Sequence, residues 1–463
     1  MKRFKEKYIG DRAFYAYVLG ITIPMIVQNL ITNFVSLLDN IMVGQVGTAQ
    51  MSGVSIVNQF IFVFNITIFG AVSGASIFGT QFFGKGDYEG QKYTVRFRLL
   101  LVTIVILIGG LIFLLFGSQL ISLFLSSDDS PEIIQETLGY GMDYLRIMII
   151  SLIPFGIGQA YASVVRECGE TKIPMLGSAA AIGINLVLDY GLIFGKFGFP
   201  EMGVRGAAIA TVIAKFIEAL VVIIWVHTHP ERNKYSIGLY RGFGIPGSLA
   251  KKIFIKGCPL LFNEFLWSLG VSIIAQCYSA RGIEAVAARN IAGTINNMFN
   301  VVYVQLGGAL GIIVGTKLGM GNLEEAKDTD RKLIFFNVAA ASAVALLMLP
   351  IAKIFPMLYN TEDSIRTLAS FFIILQVFAT PIWSYTNACY FTLRCGGQTG
   401  ITFLYDFIFT WVVQIPLAYI LTYLTPMNIH WLFALVTFSE GIKCVAGYLM
   451  VRSGMWMKVI TEY

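Results

Sequence analysis

The second half of this chain repeats the pattern of helix-breaking and charged residues found in the first half. The paired positions are Pro24 and Pro259, Gly79-Thr80 and Gly315-Thr316, Gly84-Lys85-Gly86 and Gly319-Met320-Gly321, and the segments 166–171 and 394–399. Several matches in the same order indicate an internal duplication. The chain is therefore expected to fold as two related halves.

Long apolar runs recur throughout the sequence, which is 56% hydrophobic and only 13% charged. Roughly a quarter of the residues in soluble domains are charged. Each run is long enough to cross about 30 Å of hydrocarbon as a helix, and none alternates as a barrel strand would. The sequence predicts an all-α membrane protein with twelve transmembrane helices, at residues 13–42, 50–80, 93–117, 135–160, 173–195, 204–228, 252–279, 284–315, 331–356, 365–392, 400–424 and 428–451.

Each half of the duplication holds six of these helices. Because six is even, both halves enter the membrane with the same orientation, related by a pseudo-two-fold axis along the membrane normal. We predict an N-terminal lobe at 1–229, a cytoplasmic loop between the lobes at 230–251 and a C-terminal lobe at 252–463. Duplicated membrane proteins of this kind are most often secondary transporters.

The distribution of Lys and Arg predicts the orientation. The first apolar run is too long for a signal peptide and lacks a small-residue cleavage site, so we interpret it as the first span. With the N-terminus inside, most of the 33 Lys and Arg residues lie in cytoplasmic segments. Both termini are then cytoplasmic, and the net charge of +6 requires no nucleic-acid partner.

Patterns that bind phosphate or carry out hydrolysis do not occur in the sequence. It contains no G-x-x-x-x-G-K-[ST], H-E-x-x-H or G-x-S-x-G. The six cysteines form no C-x-x-C pair and are interpreted as packing residues. We therefore expect no enzyme activity, no cofactor and no resident metal; a transporter of this kind draws its energy from an ion gradient.

Ionisable residues inside the predicted spans are candidates for that coupling, because a charge near the bilayer centre is costly. Three opposite-charge pairs are spaced i, i+3, which predicts neutralisation along one helix face. These pairs are Asp143 and Arg146, Lys215 and Glu218, and Glu440 and Lys443. Four acids have no local basic partner: Asp39, Asp189, Glu264 and Asp406.

Asp39 and Asp189 are both expected in the outer half of the N-terminal lobe, where Asn185 lies one turn before Asp189. Desolvation favours the protonated form of such acids, and amide oxygens can instead complete a Na⁺ shell. The alternative is that each Asp simply accepts a hydrogen bond from a neighbouring helix. Glu264 and Asp406 form a possible second site in the C-terminal lobe, although they are less readily joined into one site.

Three segments resemble the multidrug and toxic compound extrusion (MATE) family, and the resemblance covers nearly the whole chain. They are Pro24–Gly47 (PMIVQNLITNFVSLLDNIMVGQVG), Arg166–Pro174 (RECGETKIP) and Asn185–Thr211 (NLVLDYGLIFGKFGFPEMGVRGAAIAT). The resemblance implies a twelve-helix, two-lobed, V-shaped transporter that exports small organic cations in exchange for H⁺ or Na⁺. It identifies Asp39 with the family's helix-one Asp and Pro24 with its bending proline.

Finer matches and departures assign the remaining residues. Asn185 and Asp189 match the Asn-x-x-x-Asp of the DNA-damage-inducible branch, and Thr211 is similar to a helix-six Thr of that branch. Members that couple Na⁺ in the C-terminal lobe have a helix-ten Asp, whereas helix ten here has Asn387. Glu264 matches the helix-seven Glu of those members, but its flanking residues differ. The departures favour coupling in the N-terminal lobe.

We therefore expect a cation-coupled antiporter that works by alternating access in the inner membrane of a bacterium or archaeon, as a monomer among membrane lipids. One alternative is a flippase or exporter of lipid-linked or nucleotide-type substrates with the same wider fold, which a cleft lined with Arg and Lys would favour. Another is a channel or receptor-like scaffold, for which Asp39 and Asp189 would have no purpose.

Overall fold

The computed structural model describes residues 2–125, 130–242, 244–359 and 361–462. All regular elements in these residues are helical. The α-helices are α1 (Lys2–Tyr8), α2 (Arg12–Gly44), α3 (Thr48–Lys85), α4 (Tyr88–Ser122), α5 (Pro131–Glu167), α6 (Lys172–Phe194), α7 (Val204–Thr228), α8 (Gly247–Ser279), α9 (Ile283–Gly319), α10 (Leu323–Leu346), α11 (Met348–Ile354), α12 (Asp363–Cys395), α13 (Thr399–Phe407), α14 (Ile415–Tyr419), α15 (Ile429–Phe438) and α16 (Glu440–Arg452).

Twelve helical stretches of the described residues are long and apolar enough to cross a membrane. They coincide with the twelve predicted runs, which confirms the predicted fold class. The eleventh span is irregular: two π-helical segments, Ile408–Gln414 and Ile420–Leu424, flank α14. The sequence pattern predicts a span there but not its wider winding.

Local chemistry explains several helix boundaries. α5 begins at Pro131, where a missing N–H costs nothing, and the Ser130 hydroxyl accepts a hydrogen bond from the Ile133 N–H. α6 ends at Phe194 and is followed by Gly195, whose φ of +64° favours glycine. The repeated glycine segments form turns after α3 and α9, where Gly86 and Gly321 have φ values of +74° and +78°.

Contacts divide the chain into two compact units. The N-terminal unit comprises Ile23–Gly79 and Tyr88–Lys251, and the C-terminal unit comprises Met1–Thr22, Thr80–Asp87 and Lys252–Tyr463. α2 and α3 thus contribute residues to both units. The predicted lobes rest on the sequence repeat rather than on contacts, so their limits at 1–229, 230–251 and 252–463 stay a prediction.

Each unit has its own apolar core. In the N-terminal unit, α5 packs on α4 and α7, and α6 packs on α7; buried residues such as Ile68, Leu145 and Leu152 fill the core. In the C-terminal unit, α12 lies at the centre, against α9, α10 and α16. Phe372 and Phe433 stack there with ring centroids 3.9 Å apart.

The duplicated glycines have a structural role in the C-terminal unit, where the end of α3 crosses the end of α9. A Cβ atom on Gly84 would overlap the main-chain oxygen of Thr316, and one on Gly319 would overlap that of Gln81. The two copies of the repeated pattern therefore pack against each other, and the absence of side chains lets the helix backbones touch.

Candidate functional site

Two helices of the N-terminal unit carry the predicted coupling residues. Asp39 lies on the last part of α2, and Asn185 and Asp189 lie one turn apart on α6. The Asp189 and Asn185 side chains are almost fully buried, at 1% and 3% exposure, and Asp39 is half-buried. The structure brings the three predicted residues together.

The two carboxyl groups face each other. Asp39 and Asp189 lie within side-chain hydrogen-bonding reach of one another, and Asn185 lies beside Asp189. An ionised carboxylate accepts hydrogen bonds but cannot donate them. As a result, Oδ1 of Asp39 and both carboxylate oxygens of Asp189 are buried without a donor. Two acids in this arrangement require a shared proton or another cation between them.

Hydroxyl groups from two further helices complete this site. Tyr144 of α5 lies within electrostatic reach of both Asp39 and Asp189 and beside Thr211 of α7, whose hydroxyl donates to the Ala207 carbonyl oxygen at 3.0 Å. The Tyr144 hydroxyl donates to Oδ1 of Asn58 at 3.3 Å. Sequence reasoning placed Thr211 here but missed Tyr144 and Asn58. A single tyrosine among 21 carries no distinguishing signal.

The donor set fits a proton or a small hard cation. No group of three or more His, Cys, Asp or Glu side chains that could hold a metal ion occurs among the described residues. A Na⁺ ion held here would therefore need the Asn185 amide oxygen and the hydroxyl oxygens in addition to the carboxylates, which matches the oxygen ligands that hard cations prefer.

A separate polar network joins four helices of the same unit. Lys215 and Glu218 of α7 form their predicted pair at 2.9 Å, and Ser178 of α6 donates to Glu218 at 2.5 Å. Gln28 of α2 donates to the Ser178 hydroxyl at 2.8 Å and accepts from Arg166 of α5 at 3.1 Å. Through Gln28, which lies one turn after Pro24, the network fixes α2 against α5 and α6.

The predicted pair of Asp143 and Arg146 is wrong. Asp143 instead pairs with Arg205, which lies at the start of α7, at 3.0 Å. A spacing of three residues brings side chains close along one helix, but it cannot exclude a better partner on a neighbouring helix.

Asp406 has no basic partner on its own helix, as the sequence indicates, but it has one on another helix that the spacing could not predict. Lys443 of α16 lies 2.5 Å from Oδ1 of Asp406, and Asn263 of α8 donates to Oδ2 at 3.0 Å. Glu264 accepts from the Tyr390 hydroxyl at 3.4 Å and lies within electrostatic reach of Asp406 and Arg394. The two predicted acids are near each other, but a lysine neutralises one of them.

Two buried acids, Glu167 at the end of α5 and Asp330 within α10, were not singled out from the sequence. Glu167 and Arg98 form an ion pair at 2.8 Å with exposures of 3% and 0%. Asp330 accepts from Thr392 at 2.6 Å. A Cβ atom on Gly79 would overlap Oε2 of Glu167, so the glycine allows α3 to approach this pair. That repeated glycine and the repeated segment 166–171, which contains Glu167, are sequence signals that point to the pair.

Comparison with known proteins decides the family. The MatE family model matches residues 24–191 and 259–420, one match in each half of the duplication. This chain belongs to the MATE family. The family consists of membrane transporters, so the chain is a multi-pass transporter and not an enzyme, as the sequence predicts.

Similar proteins cover almost the full length of this MATE chain. It is 26% identical to the probable multidrug resistance protein NorM of Thermotoga maritima over 95% of this chain and 93% of that protein. It is 23% identical to the probable multidrug resistance protein YoeA of Bacillus subtilis, over 92% of this chain and 91% of that protein. A crystal structure of MATE in the straight conformation shares the fold with a TM-score of 0.82 at 20% identity, covering 98% of both chains.

Proposed function

We propose that this MATE transporter exports small organic cations and drugs in exchange for H⁺ or Na⁺ bound at Asp39, Asn185, Asp189 and Thr211. The observation that carries the proposal is the set of buried carboxylate oxygens that lack a donor. The relatives named as probable multidrug resistance proteins support the substrate class. Substrate and coupling ion would bind alternately, so that one leaves when the other enters.

We infer that Pro24 is the bend point through which cation occupancy affects α2. The contact-defined boundary between the units cuts α2 between Thr22 and Ile23, directly before this proline. A proline inside a helix removes one backbone hydrogen bond and allows a kink. Solved MATE structures described as the straight and bent conformations share this fold, with TM-scores of 0.82 and 0.80.

We further propose a monomer in the inner membrane with both termini in the cytoplasm. The Lys and Arg distribution supports this orientation, because cytoplasmic loops carry an excess of both residues. A cysteine introduced near either terminus would then be labelled by an impermeant maleimide only after the cells are opened. Labelling of intact cells would contradict the orientation.

Substrate efflux from sealed vesicles tests the coupling. Purified protein would be reconstituted, and ethidium or rhodamine movement would be followed under an imposed pH gradient and, separately, an imposed Na⁺ gradient. We expect at least one gradient to drive concentrative transport, and ATP to have no effect. Transport that needs ATP hydrolysis would overturn the proposal.

The matched control is Asp143→Asn, which makes the same substitution at a partly exposed ion pair of the same unit. We expect this variant to transport like the natural protein. Asp39→Asn and Asp189→Asn should stop gradient-driven transport. Concentrative transport by both site variants would move the coupling site elsewhere.

A further inference from the structure

One ammonium group is enclosed inside the C-terminal unit. Lys443 lies on α16, and its side chain is 11% exposed. Its Nζ atom lies 2.5 Å from Oδ1 of Asp406 and 3.7 Å from Oε1 of Glu440. A buried amine that keeps its charge needs such partners to offset the lost hydration.

Aromatic rings surround the same ammonium. Nζ of Lys443 lies 4.9 Å from the ring centroid of Tyr405 and 5.6 Å from that of Phe409. Both rings are buried, with exposures of 5% and 6%. A cation above an aromatic face is attracted by the ring's electron density. Carboxylates combined with aromatic faces are the surroundings that proteins use to bind free organic ammonium ions.

The backbone supports this arrangement. α13 carries Tyr405 and Asp406, and the chain continues as a π-helix from Ile408, which includes Phe409. π-helical segments are rare and occur frequently at functional sites. Hydrogen bonds from other helices hold the two acids in place: Asn263 donates to Asp406, and the Thr386 hydroxyl donates to Glu440 at 3.2 Å.

A second lysine pair, in the N-terminal unit, offers less. Lys215 of α7 meets one acid, Glu218 at 2.9 Å, and one ring, Phe155 at 5.5 Å. Its side chain is 29% exposed. Lys443 therefore differs in the number of acids and rings around its charge and in its burial.

We propose that Tyr405, Asp406, Phe409 and Glu440 form an ammonium-binding site that takes primary alkylammonium ions, and that the side chain of Lys443 occupies it. The tethered ammonium excludes external cations from this site. This proposal rests on the proposed function. It also explains why coupling would belong to the N-terminal unit, because the Lys443 ammonium already neutralises Asp406 and Glu440.

Replacement of the side chain by a free amine tests the site directly. Lys443→Ala removes three methylene groups and the ammonium, which together correspond to n-propylammonium. We expect the variant to have a lower Tm in detergent, and n-propylammonium to raise that Tm in a concentration-dependent way. The natural protein should not respond. Equal stabilisation of variant and natural protein, or none of the variant, would overturn the site.

Two controls separate charge from space. n-Propanol has similar bulk without the charge and should not restore the variant. Lys332→Ala removes a lysine from a partly exposed pair with Asp328 in the same unit, and n-propylammonium should not affect it. A response of the Lys332→Ala variant, or restoration by n-propanol, would show a nonspecific effect and contradict the proposal.

If Lys443→Ala alone does not fold, a double variant that removes both Asp406 and Lys443 still tests the site. Asp406→Asn/Lys443→Ala removes the unpaired buried carboxylate together with the amine, so we expect it to fold and to lose most of the n-propylammonium response. An undiminished response would show that Asp406 does not belong to the site.

Transport stoichiometry tests whether Lys443 keeps coupling cations out of the C-terminal unit. In vesicles, Lys443→Ala should move more cations per substrate than the natural protein. The ratio is measured from the gradient at which net transport reverses. An unchanged ratio would overturn this part. If Asp39→Asn and Asp189→Asn still transport against the gradient, the proposed function fails, whereas the response of Lys443→Ala to n-propylammonium in detergent is unaffected.

Discussion

At the residue scale, the paired acids Asp39 and Asp189 of the N-terminal unit are suited to bind a cation but lower the stability of the fold. Asp189 is only 1% exposed, and neither of its carboxylate oxygens has a hydrogen-bond donor. Such a group destabilises the fold unless a cation accompanies it. Natural selection keeps costly groups of this kind inside membranes where they serve function.

Asp189→Asn is expected to abolish coupled efflux while leaving the fold intact or stabilising it. The neutral amide removes the repulsion between two buried carboxylates and can itself donate to Asp39. The measurements are gradient-driven efflux and Tm in the same preparation. A variant that loses activity and also unfolds at a much lower temperature would indicate a structural role.

Glu264→Gln is expected to have a milder effect than either N-terminal substitution. Glu264 accepts a weak hydrogen bond from Tyr390 at 3.4 Å and lies within electrostatic reach of Arg394, which lowers the need for an external cation. Efflux rates of the three variants would be compared under the same imposed gradient. A complete loss in Glu264→Gln, with retained transport in both Asp variants, would assign coupling to the C-terminal unit.

Cys168 should be an unreactive thiol, as the interpretation of the cysteines as packing residues requires. It lies between α5 and α6, outside the spans, and burial raises the pKa of its thiol to about 12, although the Gln91 amide donates to the sulfur at 3.2 Å. At pH 8 the thiolate fraction is then about 10⁻⁴. We expect slow alkylation that accelerates through pH 10–12; rapid labelling at pH 8 would contradict it.

At the element scale, the sequence predicts which segments are helices better than it predicts their partners. All twelve apolar runs correspond, in the part of the chain that the structure describes, to helices long and apolar enough to cross a membrane, because length and hydropathy decide insertion. Spacing along one helix correctly paired Lys215 with Glu218. It could not anticipate Arg205 beside Asp143 or Lys443 beside Asp406, since those contacts depend on how different helices pack. The candidate site was predictable because its acids had no local partner.

The crossing of α3 and α9 should tolerate no side chain at its glycines. Gly319→Ala is expected to destabilise the protein by about 1–3 kcal/mol, because the new methyl group meets the main chain of Gln81 and not a flexible side chain. Thermal unfolding in detergent measures the change. Gly293→Ala on the same helix meets no atom within 4 Å and should be neutral or slightly stabilising. Equal effects at both positions would contradict the close crossing.

Pro24→Ala should give a folded protein with impaired turnover. Alanine restores the backbone N–H that α2 lacks at this turn, which stiffens the helix where it passes from one unit to the other. The efflux rate of the variant is divided by that of the natural protein, and Tm is measured to show that both are equally stable. Natural rates in the variant would show that no bend is required.

At the scale of the whole molecule, the C-terminal segment of the chain contacts α3, which lies early in the sequence. The side chain of Gln81, on α3, is fully buried. Its amide donates to the carbonyl oxygens of Cys395 and Lys458 at 3.1 and 3.0 Å, and its oxygen accepts from the Ile460 N–H at 2.8 Å. Trp456, 1% exposed, anchors the same terminal segment. One side chain thus joins residues more than 300 positions apart.

Gln81→Leu is expected to lower the free energy of unfolding by about 1–3 kcal/mol for each main-chain group that stays buried without a partner. The loss should depend on the terminal segment. In a chain shortened after Ser453, two of the three partners of Gln81 are gone, so the same substitution should cost much less, and the two changes should be strongly non-additive. Thermal unfolding of the four proteins measures the coupling. Additive effects would mean that the terminal segment and α3 are stabilised independently and do not hold each other in place.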